Sequence, residues 1–440
     1  MLVGSLIASL VLTQPGGNPL PAAQPSSVHL RGHVSALSGE VVAASNGGLL
    51  FKTGDDAGRL ISWDRVRTVE GPGAAVAAPF LSIADGLMRA RTRLERGDTW
   101  LADQAIEPLY RQVAASEGGF AGPSGLLLAE CALRSSLARN ATAGATIAWL
   151  QWSAVERTRP KSSGPATAGS AQWTGGTTKL PPLTDGATGL CPQLPPIFPY
   201  RSALSMGTLR VLTQSPELQR LSGDGASSRV LAAAYSLAVR IAAGDIQPDE
   251  AVSLPAPTGD AEQFVIDVVA AQTAPSEPMR AARQRLQRRL DLLQRDTETR
   301  ETADDASQAP DRTWQRAWIH AAVGRSMLAE DQPSVRRQGM IELLHVPALD
   351  GATQPGLAST ALLDVIDQLR RDAVGTSSDA AIAALSSELK LRFGVDPSPL
   401  APAAPAGVAP ASEQQPIAPP PAEPSPSTPT PSTPPSKEAP

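Results

Sequence analysis

Residues 58–72 read GRLISWDRVRTVEGP, and the apolar pattern changes phase partway through. Ile61 and Trp63 are two apart, as a half-buried strand requires, whereas Val66 and Val69 are three apart, which suits a turn of helix and not a pleat. The stretch therefore predicts a strand that stops at Asp64. One helical turn capped by Asp64 follows, and a last short strand returns Val66 and Val69 to the core. Upstream, VHLRGHV alternates, with Val28, Leu30 and Val34 on one face and His29, Arg31 and His33 on the other. EVVAAS and GLLFK meet through Asn46-Gly47-Gly48, residue types that accept the positive φ of a hairpin turn. A second turn, GDDAG at 54–58, leads into RLISW.

A strand, one turn and a strand are an economical way to close a small sheet on itself. The ending resembles that of SH3-like and Sm-like barrels, and the resemblance implies a small all-β barrel over 28–72. The nucleotide-binding signature of the Sm family is missing, so no binding residues follow from it.

Beyond Gly71-Pro72-Gly73 the texture becomes helical. In LMRARTRLERGDTWLADQAIEPLYRQV, Gly97 is followed by Ala102 and then Ile106, and the same spacing recurs at Asn140, Ala145 and Trp149. Glycine or asparagine ends one helix, alanine lets the next approach closely, and the larger side chain fills the space between them. These positions resemble a degenerate tetratricopeptide repeat, clearest over 84–155, and imply helical hairpins over 76–157. The two turns are 43 residues apart, against the family's period of 34, and the insertion EGGFAGPSG takes up much of the excess.

Residues 158–200 carry so many Pro and Gly that they read as a long irregular connection, packed in part through Trp173, Ile197 and Phe198. Amphipathic segments resume over 201–396, with Gly244 as another helix stop, and suggest a solenoid-like stack in which each hairpin buries its face against its neighbours. From Pro397 to Pro440, 16 of 44 residues are proline. That composition cannot bury enough apolar surface to offset ordering entropy, so a disordered tail is expected. The fold class read from the sequence is mainly α: an irregular, tetratricopeptide-like helical body, a small N-terminal all-β barrel and a disordered C-terminal tail.

The 440 residues carry a net charge of −5, which excludes a global basic field for nucleic acid. Of the 38 basic residues only five are lysine, a bias of the kind a GC-rich bacterial genome produces. An apolar run from Leu2 to Leu12 has the length of a signal-peptide core and is too short to span a bilayer. A signal peptide over 1–23 and export to the periplasm or cell surface are expected, with no transmembrane span. In an oxidising compartment the only two cysteines, Cys131 and Cys191, can form a disulfide; a buried inert thiol is the other reading, and both stay open.

Catalytic motifs are missing. There is no P-loop, G-x-S-x-G, H-E-x-x-H or C-x-x-C. Ser387-Glu-Leu-Lys390 and Lys52-Thr53-Gly54 match fragments of the penicillin-binding signature, but in reversed order and without S-D-N. His29 and His33, four strand residues apart, lie about 13 Å from each other, too far for one ion. His320 and His345 fall in different helical segments with no ligand set read around them. No metal, cofactor or catalytic residues are therefore assigned. The strip His29, Arg31 and His33 reads as a pH-sensitive surface contact, with plain surface decoration as its alternative. Arg283, Arg288, Arg289 and Arg295 read as a solvated face, offset by the acidic DTETRETADD that follows. Trp149, Trp152, Trp314 and Trp318 sit at inter-helix packing spacing. The expected function is a non-enzymatic interaction scaffold of the cell envelope, bound to an envelope protein or peptide and not to nucleic acid. The alternatives are an envelope enzyme acting on wall polymer, with a site assembled in space, and a self-assembling structural surface protein.

Overall fold

Alternation and turn chemistry produce five strands early in the chain: β1 (Ser26–Leu30), β2 (Leu37–Ser45), β3 (Gly48–Lys52), β4 (Arg59–Ile61) and β5 (Val66–Glu70). The structure, a computed structural model, describes residues 25–54, 58–116, 119–160, 172–200, 210–223, 228–245, 254–273, 275–301, 312–372 and 377–397. The expected signal peptide, the tip of the GDDAG turn and the Pro-rich tail from Ser398 onward lie outside the described residues.

The hairpin between β2 and β3 turns at Asn46-Gly47, with the positive φ on Gly48, at +143°, and not on the two loop residues. β5 pairs back onto β1, and a single 3-10 turn, Trp63–Arg65, separates it from β4. The expected barrel does not form. The sheet is open and six-stranded, in the order β5-β1-β2-β3-β4-β6, where β6 (Gln172–Thr174) comes from the Pro/Gly-rich connection and pairs parallel with β4. β4 is only three residues long, and its outer edge is taken by β6, so the sheet grows there instead of closing on β5. Two smaller expectations also change. The first strand ends at Leu30, leaving Val34 fully exposed in the following turn. Asp64 is not the cap of the helical turn but lies inside it, fully buried.

That turn is where the sheet meets the helices. Trp63 is buried and stacks on Phe80, ring centroids 5.4 Å apart. Its indole N–H donates to the Ser45 carbonyl at 2.7 Å, and its backbone N–H donates to the Ser124 hydroxyl at 2.9 Å. Asp64 accepts a hydrogen bond from Arg91. Strand, turn and helix are thus fastened through consecutive residues of the stretch that changes phase.

After a single turn, α1 (Ala74–Ala77), come α2 (Leu81–Glu95), α3 (Thr99–Ala115), α4 (Gly122–Ala138) and α5 (Thr142–Glu156), which pack in sequence order. Gly97 turns α2 into α3 at φ +82°, and Asn140 turns α4 into α5 at φ +54°, where most side chains pay about 1–2 kcal/mol and asparagine is tolerated. Ala102, Ile106, Ala145 and Trp149 are all buried, as the hairpin reading requires. Gly122, Pro123 and Ser124, read as an insertion, are instead the first turn of α4, with Pro at a position whose N–H has no helical partner.

The second helical run comprises α6 (Pro216–Ser222), α7 (Arg229–Ala243), α8 (Asp260–Ala270), α9 (Glu277–Glu301), α10 (Thr313–Leu328), α11 (Pro333–Leu349), α12 (Pro355–Asp372) and α13 (Ser377–Phe393). Gly244 ends α7 at φ +78°. Trp318 stacks on Phe264, and Trp314 meets Trp318 edge-on at 4.9 Å, so the tryptophan pair is core between helices. The buried core runs without a break from Val28 to Val365.

The Pro/Gly-rich connection is stitched to the helices by hydrogen bonds. Glu130 accepts from the Thr178 backbone and hydroxyl, and Arg134 donates to the Pro181 carbonyl. Trp318 donates to the Pro192 carbonyl, Tyr235 to the Leu194 carbonyl and Gln272 to the Pro196 carbonyl. Leu190, Cys191, Leu194, Ile197 and Phe198 are buried beneath them.

A similar clasp opens α8. Glu262 accepts from the Thr258 N–H at 2.7 Å, the Thr258 hydroxyl at 2.8 Å and Arg157 of α5. Burial pushes its carboxyl up, but the bonds from Thr258 and Arg157 outweigh that and hold it below the ordinary glutamate range. A depressed folded pKa contributes stability that is complete above the unfolded value of about 4.3 and is lost as pH falls through the lower folded value. Glu262→Gln removes the titration, so its thermal midpoint should fall less steeply than the parent's on acidification below that range. Parallel acid limbs in the two proteins would show that the clasp is not coupled to folding.

Candidate functional site

Among the described residues, a shallow open cleft of about 340 Å³ lies between α2 and α3, lined by Ser82, Arg89, Arg93, Gln104, Pro108 and Gln112 among others. Gly86 lets the helices close at its floor, since a β-carbon there would lie 2.6 Å from Leu109. Arg93 donates to the Leu101 carbonyl and Arg89 to the Asp85 carbonyl. Neither guanidinium has a carboxylate partner among the described residues. Trp100 and Leu101 precede Gln104 and Ala105 by four residues, so they extend the same face of α3 by one turn. Both are exposed, Trp100 by 70%. The cleft therefore offers hydrogen-bonding cations and carboxamides, with an exposed aromatic ring one helical turn before Gln104.

The strip His29, Arg31 and His33 is not assembled, because β1 ends before its last two members. His29 faces Glu70 of the paired strand at 3.4 Å. Arg31 is committed elsewhere, donating to the Val66 carbonyl at 3.1 Å and pairing with Asp85 of α2. His33 is exposed in the turn beyond. Cys131 and Cys191 are both free, fully buried thiols. Burial pushes Cys131 well above the ordinary thiol range and Cys191 up to about 12, so neither is poised as a thiolate.

Four arginines of the basic helix are paired with carboxylates of the fold. Arg289 forks onto Asp260 at 3.0 and 2.8 Å and lies over the Phe264 ring. Arg285 pairs with Asp267, and Arg280 and Arg283 share Glu330. The Lys52-Thr53-Gly54 fragment ends β3, while Ser387 and Lys390 lie on α13.

Sequence reasoning missed one constellation. His320 of α10 and Glu342 and His345 of α11 converge. His320 Nδ1 lies 2.8 Å from Glu342 Oε2 and 3.4 Å from His345 Nδ1, and His345 Nδ1 lies 3.9 Å from the same carboxylate oxygen. The hydrogen bond with His320 is the main cause holding the Glu342 carboxyl below its ordinary range, against the effect of burial. The backbones approach closely because α10 and α11 cross at two glycines: a β-carbon on Gly324 would sit 2.9 Å from the Gly339 carbonyl, and one on Gly339 would sit 2.8 Å from that of Gly324. His320 is one turn before the first glycine, and Glu342 is three residues after the second, so an antiparallel pair brings them level. The signal available in the sequence was Glu-Leu-Leu-His over 342–345, an acid and an imidazole three apart on one helix face.

No described helix is long and apolar enough to cross a membrane. Compared with known protein families, curated proteins and solved structures, the chain has no match.

Proposed function

We propose that the chain is a non-enzymatic interaction scaffold of the bacterial cell envelope, and that it engages an extended acidic segment of an envelope protein along the α2–α3 cleft. The observation that carries this reading is the cleft itself, with Arg89 and Arg93 on one wall and Gln104 and Gln112 on the other, and Trp100 exposed one helical turn before Gln104 on α3. Guanidinium groups match carboxylates in fork geometry, and an exposed tryptophan one turn along α3 supplies apolar area of the kind that dominates interface energetics. Sequential packing of hairpins supports the same reading, because such stacks present long surfaces without needing a catalytic cavity. A tetratricopeptide-like origin for 76–157 and export of the chain belong to this proposal.

Arg89→Glu/Arg93→Glu reverses the charge of the cleft at positions away from the buried core. The purified full chain should retain a specific protein from a solubilised envelope fraction, and the double variant should lose at least about tenfold of it, the scale of one or two interface charges. Equal retention by both proteins would remove the cleft from the account. Turnover of wall polymer abolished by one side-chain change would replace the scaffold with the enzyme.

A further inference from the structure

We propose that His320, Glu342 and His345 bind one divalent transition-metal ion of the zinc class, which clasps α10 to α11. Two imidazoles and one carboxylate form a three-ligand set that suits zinc and its neighbours, and imidazole disfavours magnesium and calcium. The separations of 2.8, 3.4 and 3.9 Å among His320 Nδ1, Glu342 Oε2 and His345 Nδ1 place all three donors about 2.0 Å from a common point, which is the length of a zinc–nitrogen or zinc–oxygen bond.

A hydrogen-bonded trio accounts less well for this arrangement. His320 and Glu342 satisfy each other across 2.8 Å, yet His345 also turns its Nδ1 toward the same spot, within 3.4 Å of the other ring's Nδ1. A cation at the common point accepts lone pairs from all three together.

The site is largely built before any ion arrives. His320 is buried on α10, its position relative to α11 set by the Gly324–Gly339 crossing, and Gln338 donates to the second Glu342 oxygen at 3.3 Å. That last contact is the kind of outer partner that orients a ligating carboxylate. The His345 side chain is 43% exposed, so an ion enters from solvent and water completes its coordination. The ion links ligands 22 and 25 residues apart and so fixes the register of the hairpin.

The test uses the purified full chain, stripped with chelator and dialysed. Zn²⁺ is titrated calorimetrically and Co²⁺ by its visible absorption. One equivalent should saturate, Zn²⁺ should displace the Co²⁺ spectrum, and Mg²⁺ should not compete. His345→Ala, at a half-exposed position, should weaken Zn²⁺ at least about tenfold with an unchanged circular dichroism spectrum, and Glu342→Gln should do the same. His29→Ala/His33→Ala should leave the affinity unaltered. Failure to saturate at one equivalent would overturn the site, as would equal affinity in folded His345→Ala.

Discussion

Arg325→Leu should lower the unfolding free energy by about 3–5 kcal/mol, the cost of leaving a buried partner charge without its mate. Arg325 is buried on α10 and donates to Asp364 of α12 at 2.6 Å and to Gln272 at 2.8 Å, while its guanidinium lies 4.3 Å from the centre of the Tyr200 ring. One side chain thereby joins two helices to the end of the irregular connection. Burial pushes the Asp364 carboxyl upward, and the Arg325 charge opposes that push. Replacing the residue exposes the full desolvation cost of Asp364, which the fold then meets by unfolding or by taking up a proton. The double variant Arg325→Leu/Asp364→Leu should recover most of the loss, because apolar side chains can substitute for a buried pair when both charges leave. Urea denaturation of the single and double variants checks this. A loss below about 1 kcal/mol in the single variant would contradict it, since that is the range of an exposed pair.

Arg91→Leu should cost about 3 kcal/mol and act at a different place. Asp64 is fully buried in the 3-10 turn, and Arg91 of α2 is its ion-pair partner. Removing the arginine leaves a carboxylate at the seam between sheet and helices, beside Trp63. Amide hydrogen exchange distinguishes this from general weakening: protection should fall over β4, the turn and β5, and stay unchanged in α10–α12. Uniform loss of protection would mean that the seam does not open separately from the rest of the core.

The features legible in the sequence are those with a local cause. Gly97, Asn140 and Gly244 mark turns because the backbone there needs a conformation that few residues adopt, and each turn lies where its residue places it; in the Asn46-Gly47-Gly48 hairpin that conformation falls on Gly48 alone. The phase change at Trp63–Val66 likewise predicted a strand, one turn and a strand. Barrel closure was read wrongly because the edge of β4 is decided by Gln172–Thr174, more than a hundred residues away, in a segment whose Pro and Gly content reads as loop. Asp64 was misread as a cap because its partner, Arg91, lies on a helix that local pattern cannot orient. The His320–Glu342–His345 cluster escaped for a related reason: it depends on Gly324 and Gly339 meeting across two helices, and isolated glycines inside helical patterns look only like weak spots. The cleft between α2 and α3 was invisible as a site, although the hairpin that forms it was not.

Site-specific photocrosslinking in the native cell tests the scaffold most directly. A photoreactive residue at Gln104, on the wall of the cleft, is compared with one at Leu391, an exposed position on α13. The expected result is a discrete protein adduct from Gln104 that is lost with Arg89→Glu/Arg93→Glu, and no such adduct from Leu391. Folded protein that gives no discrete adduct from the cleft, or the same adduct from both positions, would contradict the assignment of the α2–α3 hairpin as the contact surface.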